Sequence, residues 1–194
     1  MKHNTTTLAP IILASQSPRR TQLLTQAEVP HTVVVMPIKE VYPTTLAIAK
    51  VPNYIALNKA KVVQQVYPNH IIIAADTIVV HNNTVIGKPL NKANAIEILT
   101  TLSAQVHTVI TGVAILYQQK TIAFKSTTQV HFNALTKEQI KHYVNTYTPY
   151  DKAGAYAIQE WIGAIGIKKI NGDYYNVMGL PIHKVVQALH KIIL

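Results

Sequence analysis

The chain has 194 residues, a length suited to one large domain or to two closely joined lobes. The absence of cysteine excludes disulfides, thiolate zinc sites and cysteine nucleophiles, and it favours a reducing cytoplasm. Lys and Arg outnumber Asp and Glu by 18 to 8, and this net charge of +10 predicts an anionic partner such as a nucleotide, a nucleic acid or an anionic lipid.

The first third of the chain predicts two strands and two helices. Residues 11–14 form a short apolar run typical of a buried strand, and Ser17 with Pro18 supplies the cap and first turn of a helix. A second strand is predicted over residues 31–36. After a loop, the apolar period of 3.6 residues restarts beyond Pro52 and predicts a second helix.

The N-terminus contains a short candidate targeting segment. Lys2 followed by the apolar run from Leu8 resembles a weak signal peptide, but the run is minimal and contains Pro10. It also leads directly into the predicted start of the first helix. We therefore expect no signal peptide, and no apolar stretch in the sequence is long enough to span a bilayer.

The middle of the chain predicts antiparallel strands and one helix. Residues 70–80 are rich in β-branched side chains and predict a long strand. A turn at residues 82–83 leads back into a short partner strand at residues 85–86. Asn91 then caps a helix that runs to Leu102.

The last half predicts two hairpins and two helices. Residues 107–117 and 121–132 predict a long antiparallel pair, and an Asn-Gly turn joins residues 165–170 to residues 174–177. A short helix lies between these hairpins, and a final helix starts at Pro181. The mixture predicts an α/β fold, with a mixed sheet, helices outside it and a bent or two-lobed body.

Half of the eight acidic residues lie at positions where a solvated side chain is expected, and the others are Glu40, Asp76, Asp151 and Glu160. Asp76 interrupts an apolar run, where a carboxylate costs several kcal/mol unless it is paired. A metal, a cation or a catalytic role would explain it. An aspartate that accepts backbone amides at a strand kink is the structural alternative.

A candidate phosphate site lies at the start of the first helix. The chain has neither a Walker-type loop nor a Gly-x-Gly-x-x-Gly turn. Instead Ser15, Ser17, Arg19 and Arg20 bring hydroxyls and guanidiniums to a helix N-terminus with free amides. A plain helix cap with two solvent-facing arginines is the alternative. Lys88 adds a further cation on a rigid turn.

The nine histidines show no spacing suited to zinc, and His107 and His131 are expected in the sheet. Carboxylates are the other candidate ligands, and they prefer hard ions. A bound metal would therefore be Mg²⁺ or Mn²⁺.

Eight sequence elements, in order along nearly the whole chain, resemble those of the Maf-like nucleoside triphosphate pyrophosphatases. They are Leu13-Ala14-Ser15-x-Ser17-Pro18-Arg19-Arg20, Glu40, Lys59-Ala60, Ala75-Asp76-Thr77, Gly87-Lys88-Pro89, Leu102-Ser103 with His107-x-Val109-x-Thr111-Gly112-Val113, Asp151-Lys152-Ala153-Gly154-Ala155-Tyr156-x-Ile158-Gln159, and Asn176-Val177-x-Gly179-Leu180-Pro181. Two departures are Ala104 and Glu160, which stand where the family usually has glycine.

The resemblance implies hydrolysis of a nucleoside triphosphate between its α and β phosphates, with a divalent metal, to give the monophosphate and pyrophosphate. It implies an inosine-triphosphatase-like fold: a long twisted mixed sheet flanked by helices, with a cleft between two lobes. Residues 1–194 would form a single such domain, commonly assembled as a homodimer.

The residue chemistry and the resemblance assign the same roles. Glu40 and Asp76 would hold the metal, and Asp76 would also orient or deprotonate the attacking water. Gln159 would read the base edge, and Asp151 and Lys152 form either a structural ion pair or part of the site. The expected phosphate-binding cations and hydroxyl donors are Arg19, Arg20, Lys59 and Lys88, and Ser15, Ser17 and Thr77.

The substrate follows from the family subgroup. Arg19, Thr77 and Gln159 together resemble the subgroup that acts on dTTP and UTP, although Glu160 could favour the amino group of cytosine. A purine-directed enzyme, of the inosine triphosphatase or 7-methyl-GTP type, is one alternative. The other is a non-catalytic module that binds nucleic acid or a division protein, which the dispersed basic residues and the lack of a nucleic-acid motif disfavour.

Overall fold

The computed structural model describes residues 9–193, in which seven strands form one mixed sheet. The strands are β1 (Ile11–Leu13), β2 (Thr32–Val33), β3 (Ile71–His81), β4 (Thr84–Ile86), β5 (Val106–Tyr117), β6 (Lys120–Phe132) and β7 (Ile167–Asn171). The helices are α1 (Pro18–Gln26), α2 (Val51–Val66), α3 (Lys92–Leu102), α4 (Lys137–Tyr147), α5 (Trp161–Gly166), α6 (Tyr174–Met178) and α7 (Ile182–Ile193). Short 3-10 turns lie at Ile48–Lys50 and Ala153–Ala155.

The sheet is parallel at one side and antiparallel elsewhere. Its order is β2-β1-β3-β5-β6-β7, and β4 pairs with the end of β3. Strand β1 runs parallel to β2 and β3, whereas β3, β5, β6 and β7 are mutually antiparallel neighbours. In the long central pairing Asp76 lies opposite Gly112.

Strand β3 is covered on both faces. Ile71 and Ile73 belong to the core on one side of the sheet, while Ile72 and Ala74 pack on the other side with α2. This alternation is the ordinary two-residue period of a strand. A strand buried on both faces needs a continuous apolar sequence, which residues 71–75 provide.

The predicted strands and helices differ from the structure in two regions. The strand predicted over residues 31–36 is only Thr32–Val33, followed by one further hydrogen bond from Val34 N–H to Leu13 O. Residues 165–166 end helix α5, and residues 174–177 are helical, so the predicted second hairpin is wrong. The reason is Asp173, whose side chain accepts the Tyr175 N–H and caps a helix instead of closing a turn.

The α/β prediction, a mixed sheet flanked by helices, is confirmed. The extent of the domain, residues 1–194 in two lobes, stays a prediction. None of the helices among residues 9–193 has both the length and the apolar character needed to cross a bilayer. The possible signal-peptide start, from Lys2 to Leu8, lies outside the described residues.

Candidate active site

All ten predicted site residues line one cleft of about 640 Å³, a volume within the usual range for ligand sites. They come from several parts of the fold, which the sheet brings together. The segment between β1 and α1 gives Ser15 and Ser17; the first turn of α1 gives Arg19 and Arg20; the loop after β2 gives Glu40; α2 gives Lys59; β3 gives Asp76 and Thr77; the loop after β4 gives Lys88; and the segment before α5 gives Gln159.

Lys59 joins the two predicted metal-binding carboxylates. Its Nζ lies 2.6 Å from Glu40 Oε1 and 2.8 Å from Asp76 Oδ1. The Asp76 side chain is 13% exposed, so the ammonium offsets the cost of burying its charge. Asp76 is therefore an ion-paired carboxylate at the cleft, and the structure does not support a strand kink as the explanation for it.

Gly112 makes this contact possible. A Cβ on Gly112 would lie 2.2 Å from the backbone N of Asn53, in the first turn of α2. Because Gly112 has no side chain, α2 packs directly on β5 beside Asp76. Two turns further along the helix, Lys59 then lies within reach of Asp76.

Glu40 is ionised well below neutral pH. Burial alone would raise its pKa, but the hydrogen bond from Lys59 and the charges of Lys59, Lys88 and Arg20 outweigh burial. The pKa of Glu40 therefore lies below its usual value. Glu40 can thus act as a charged oxygen ligand.

Glu40 and Asp76 are the candidate ligands for a hard metal ion in the cleft. Across the described part of the chain, no cluster of three or more His, Asp or Glu side chains could hold a metal by itself. Glu40 and Asp76 offer two carboxylates that share one cation position, and Mg²⁺ is typically held by one or two carboxylates plus substrate phosphates and water. The residues fit Mg²⁺ or Mn²⁺ bound together with a phosphate substrate.

Arg20 is buried and largely used within the protein. Its Nε donates to Gly179 O at 2.8 Å, its Nη1 to Ser15 Oγ at 3.0 Å and its Nη2 to Thr77 Oγ1 at 3.1 Å. Burial lowers the pKa of Arg20 to about 10, although the charge of Asp76 opposes this effect. Arg20 thus remains a cation at neutral pH and fixes three parts of the cleft wall.

The start of α1 differs from a simple helix cap. Ser17 occupies the cap position, but its side chain makes no capping hydrogen bond. Ser15 Oγ accepts the Ser17 N–H at 3.2 Å instead, and the N–H of Arg19 has no acceptor among residues 9–193. The Ser17 hydroxyl and this amide are available to an anion, as expected at a helix N-terminus.

Arg19 is linked to a second charged cluster. Its Nη1 donates to Asp151 Oδ2 at 2.9 Å, and Lys152 Nζ lies 2.8 Å from Asp151 Oδ1 and 3.5 Å from Glu160 Oε1. Burial would raise the pKa of Asp151, but the hydrogen bonds from Lys152 and Arg19 lower it below its usual value. Asp151 and Lys152 do form an ion pair, and both also line the cleft.

Gln159 and Lys88 are exposed at the cleft. Within the described chain neither side chain has a hydrogen-bond or ion-pair partner, so both are available to a ligand. Glu160 is not among the residues that line the cleft, and its carboxylate accepts the Tyr143 hydroxyl and faces Lys152.

Sequence reasoning missed Gly112 and Tyr143 as determinants of the site. A glycine inside a β-branched run is a signal for close backbone approach, so Gly112 could have been found. Tyr143 lies in α4, fully buried, and nothing in the local sequence marks its contact with Glu160.

Comparison with known proteins identifies close relatives of this chain. A dTTP/UTP pyrophosphatase from Cytophaga hutchinsonii is 46% identical over 189 residues, which cover 97% of this chain and 85% of the relative. A dTTP/UTP pyrophosphatase from Bacteroides thetaiotaomicron is 44% identical over 184 residues, covering 94% of this chain and 95% of the relative.

The fold also has a solved counterpart. The structure of a HAM1 protein from Coxiella burnetii has a TM-score of 0.51 and 13% sequence identity, covering 95% of this chain and all of that chain. This likeness concerns the fold alone. A family model described as Maf-like protein matches residues 10–192, and together with the relatives it confirms the resemblance: the chain belongs to the Maf-like protein family.

Proposed function

We propose that this protein hydrolyses dTTP and UTP between the α and β phosphates, releasing the nucleoside monophosphate and pyrophosphate. The observation that carries the proposal is the cluster of Glu40, Lys59 and Asp76 beside the cationic start of α1, with Gln159 exposed at the same cleft. Relatives named dTTP/UTP pyrophosphatase support the substrate class.

The triphosphate binds where positive groups converge. Arg19 and Lys88 are placed to contact phosphate oxygens, and the free amide and Ser17 hydroxyl at the start of α1 add neutral donors. Arg20 contributes its charge and the two guanidinium N–H groups that do not donate to Gly179, Ser15 or Thr77. Ser15 and Thr77 act mainly by holding Arg20 in place.

Asp76 is the candidate general base. Its Oδ1 is held by Lys59, while Oδ2 accepts no hydrogen bond from residues 9–193 and is available to a water molecule. Asp76 would orient this water and accept its proton during attack on the phosphorus. When bound at Glu40 and Asp76, a Mg²⁺ or Mn²⁺ ion would act as a Lewis acid that offsets phosphate charge.

Gln159 is the candidate base-reading residue. Its amide offers one acceptor and two N–H donors, which can pair with the O4 and N3–H edge of uracil or thymine. Glu160 faces Lys152 and Tyr143, so it offers no carboxylate to the amino group of cytosine. We therefore expect dTTP and UTP to be cleaved ahead of CTP, and all three ahead of ATP and GTP.

A nucleotide panel tests this function. Purified protein is assayed for pyrophosphate release from dTTP, UTP, CTP, ATP, GTP and 7-methyl-GTP with Mg²⁺ or Mn²⁺, and again after chelation of the metal. We expect the ranking above in kcat/KM and loss of activity on chelation. A preference for 7-methyl-GTP or purines would contradict the substrate assignment. Absence of all cleavage, with DNA or RNA binding that weakens steeply with salt, would favour the binding module.

The assembly and the compartment are further proposals. A homodimer is expected from the family, and a cytoplasmic location from the absence of cysteine. Light scattering of the purified protein at several concentrations tests the first expectation, and cell fractionation tests the second.

A further inference from the structure

Lys152 lies between two carboxylates, Asp151 and Glu160, to which the proposed chemistry gives no role. The contacts run from Arg19 to Asp151, Lys152 and Glu160, with charges that alternate in sign, and end at the neutral hydroxyl of Tyr143. The Lys152 side chain is 10% exposed, and among the described residues it provides the only direct link between the Asp151 and Glu160 carboxylates. An ammonium so well buried is held by its two partners.

One end of this series of contacts lies next to the proposed phosphate site, and the other lies next to the proposed base site. Arg19 is placed to bind phosphate, and Glu160 directly follows the base-reading Gln159. Glu160 occupies the cap position of α5, but its side chain makes no capping hydrogen bond. Its carboxylate is directed instead to Lys152 and Tyr143.

The backbone around Gln159 is anchored on both sides. Tyr143 Oη accepts the Ala157 N–H at 3.1 Å, and burial together with Glu160 raises the pKa of Tyr143, so its hydroxyl stays a donor to Glu160. On the other side, Gly163 packs against the Ile158 carbonyl so closely that a Cβ would overlap it. Because the Gln159 side chain has no partner of its own among the described residues, these backbone contacts determine where it points.

We propose that Lys152 is a positioning residue for base selectivity: by joining Asp151 to Glu160, it holds the phosphate-binding Arg19 and the base-reading Gln159 at a fixed separation. This inference rests on the proposed function, since it needs a nucleotide bound along the cleft. A purine carries its hydrogen-bonding edge farther from the sugar than a pyrimidine does. A fixed separation between Arg19 and Gln159 therefore favours a pyrimidine base. A separation that can increase also allows a purine to bind.

The test compares Lys152→Met with Lys125→Met, an exposed lysine on β6 outside the cleft. For each variant, kcat and KM are measured with UTP and with ATP. In Lys152→Met the ratio of kcat/KM for UTP to that for ATP falls about tenfold, the worth of one well-placed hydrogen bond, mainly through a higher KM for UTP. Lys125→Met keeps the wild-type ratio.

A double-mutant cycle tests whether Lys152 affects base selectivity through Gln159. If Lys152 acts through Gln159, then adding Lys152→Met to Gln159→Ala leaves the selectivity of the single Gln159→Ala variant unchanged. Lys152→Met leaves two carboxylates without their shared cation and can impair folding. Glu160→Gln then serves as the second variant, because it breaks the ion pair while keeping an acceptor for Tyr143, and the same loss of selectivity is expected.

The outcomes separate this role from the proposed function. A wild-type enzyme that prefers UTP, with folded variants of unchanged UTP to ATP ratio or with equal losses for both nucleotides, overturns the positioning role and leaves the function standing. Additive selectivity losses in the cycle overturn it as well. A wild-type protein without pyrimidine preference overturns the proposed function and this role with it.

Discussion

At the scale of single residues, the proposed chemistry depends on the Asp76 carboxylate. Asp76→Asn keeps the size of the side chain but removes the charge and the basic oxygen. We expect kcat to fall by at least about 100-fold, the lower end of a general-base contribution, while circular dichroism shows a retained fold. Glu97→Gln, on the exposed face of α3, is the matched control. Activity within a few-fold of wild type would remove Asp76 from the mechanism.

Alanine substitutions of the two adjacent arginines are expected to lower stability by different amounts. Arg20→Ala deletes a buried guanidinium with three protein acceptors, and we expect it to lower the free energy of unfolding by about 3 kcal/mol or more. Arg19→Ala removes a partly exposed ion pair and should cost less than about 1 kcal/mol.

Urea unfolding measures the two stabilities, and titration with substrate analogues measures binding. Arg19→Ala should weaken binding of a non-hydrolysable triphosphate more than binding of the monophosphate product, because Arg19 is assigned to the polyphosphate. Equal losses for both ligands would contradict that assignment, and equal stabilities of the two variants would contradict the difference in burial.

At the scale of secondary-structure elements, the packing of α2 on β5 controls the carboxylate cluster. Gly112→Ala places a methyl group against the backbone of Asn53, so the helix must shift away from the sheet. We expect a loss of about 1–3 kcal/mol from overpacking, together with reduced activity because Lys59 moves with the helix.

Thermal and urea unfolding measure this loss of stability. Gly87→Ala is the stability control, since its Cβ would meet no atom within 4 Å. If Gly112→Ala proves as stable as Gly87→Ala, the close approach of α2 is not a constraint.

The elements also show what sequence patterns can and cannot predict. Strands β3, β5 and β6 were predicted to within about two residues, because long β-branched runs leave few alternatives. Residues 174–177 were predicted as a strand because the Asn-Gly turn signal precedes them. The deciding contact is the cap from Asp173, the residue directly before them, which starts a helix. Strand β2 depends on pairing with β1, which its own sequence does not reveal.

The same distinction holds for the candidate site. Residues with unusual chemistry, such as Asp76 in its apolar run and the serines and arginines at the start of α1, can be identified from the sequence. They and the other predicted site residues, ten in all, line one cleft. The contacts among these residues could not be predicted from the sequence. Arg20 with Gly179 and Lys152 with Glu160 join distant parts of the chain, and only the fold determines such pairs.

At the scale of the whole molecule, the buried His107 predicts sensitivity to acid. His107 packs against Phe132 and Tyr156, and burial lowers its pKa to about 4 from an ordinary value of 6.5. Between these two pH values the unfolded chain binds a proton that the folded protein cannot bind. Stability is therefore intact above pH 6.5 and falls by up to roughly 3 kcal/mol as the pH approaches 4.

Urea unfolding at pH 7 and at pH 5 measures this loss. His107→Gln removes the titrating group and should reduce the difference in stability between the two pH values. His183→Gln, at an exposed position of α7, should leave the difference as in the wild type. An unchanged pH dependence in His107→Gln would assign the acid sensitivity to other groups.

The hydrogen bond from Arg20 to Gly179 spans 159 residues of sequence and has a consequence for how the molecule is made. During synthesis the long β5–β6 hairpin can pair as soon as residues 106–132 have left the ribosome, because its contacts are local. The wall of the cleft cannot close until the segment carrying Gly179 has also emerged. Catalytic competence is thus among the last properties a nascent chain acquires, and a refolding chain should recover its strand signal before it recovers hydrolysis.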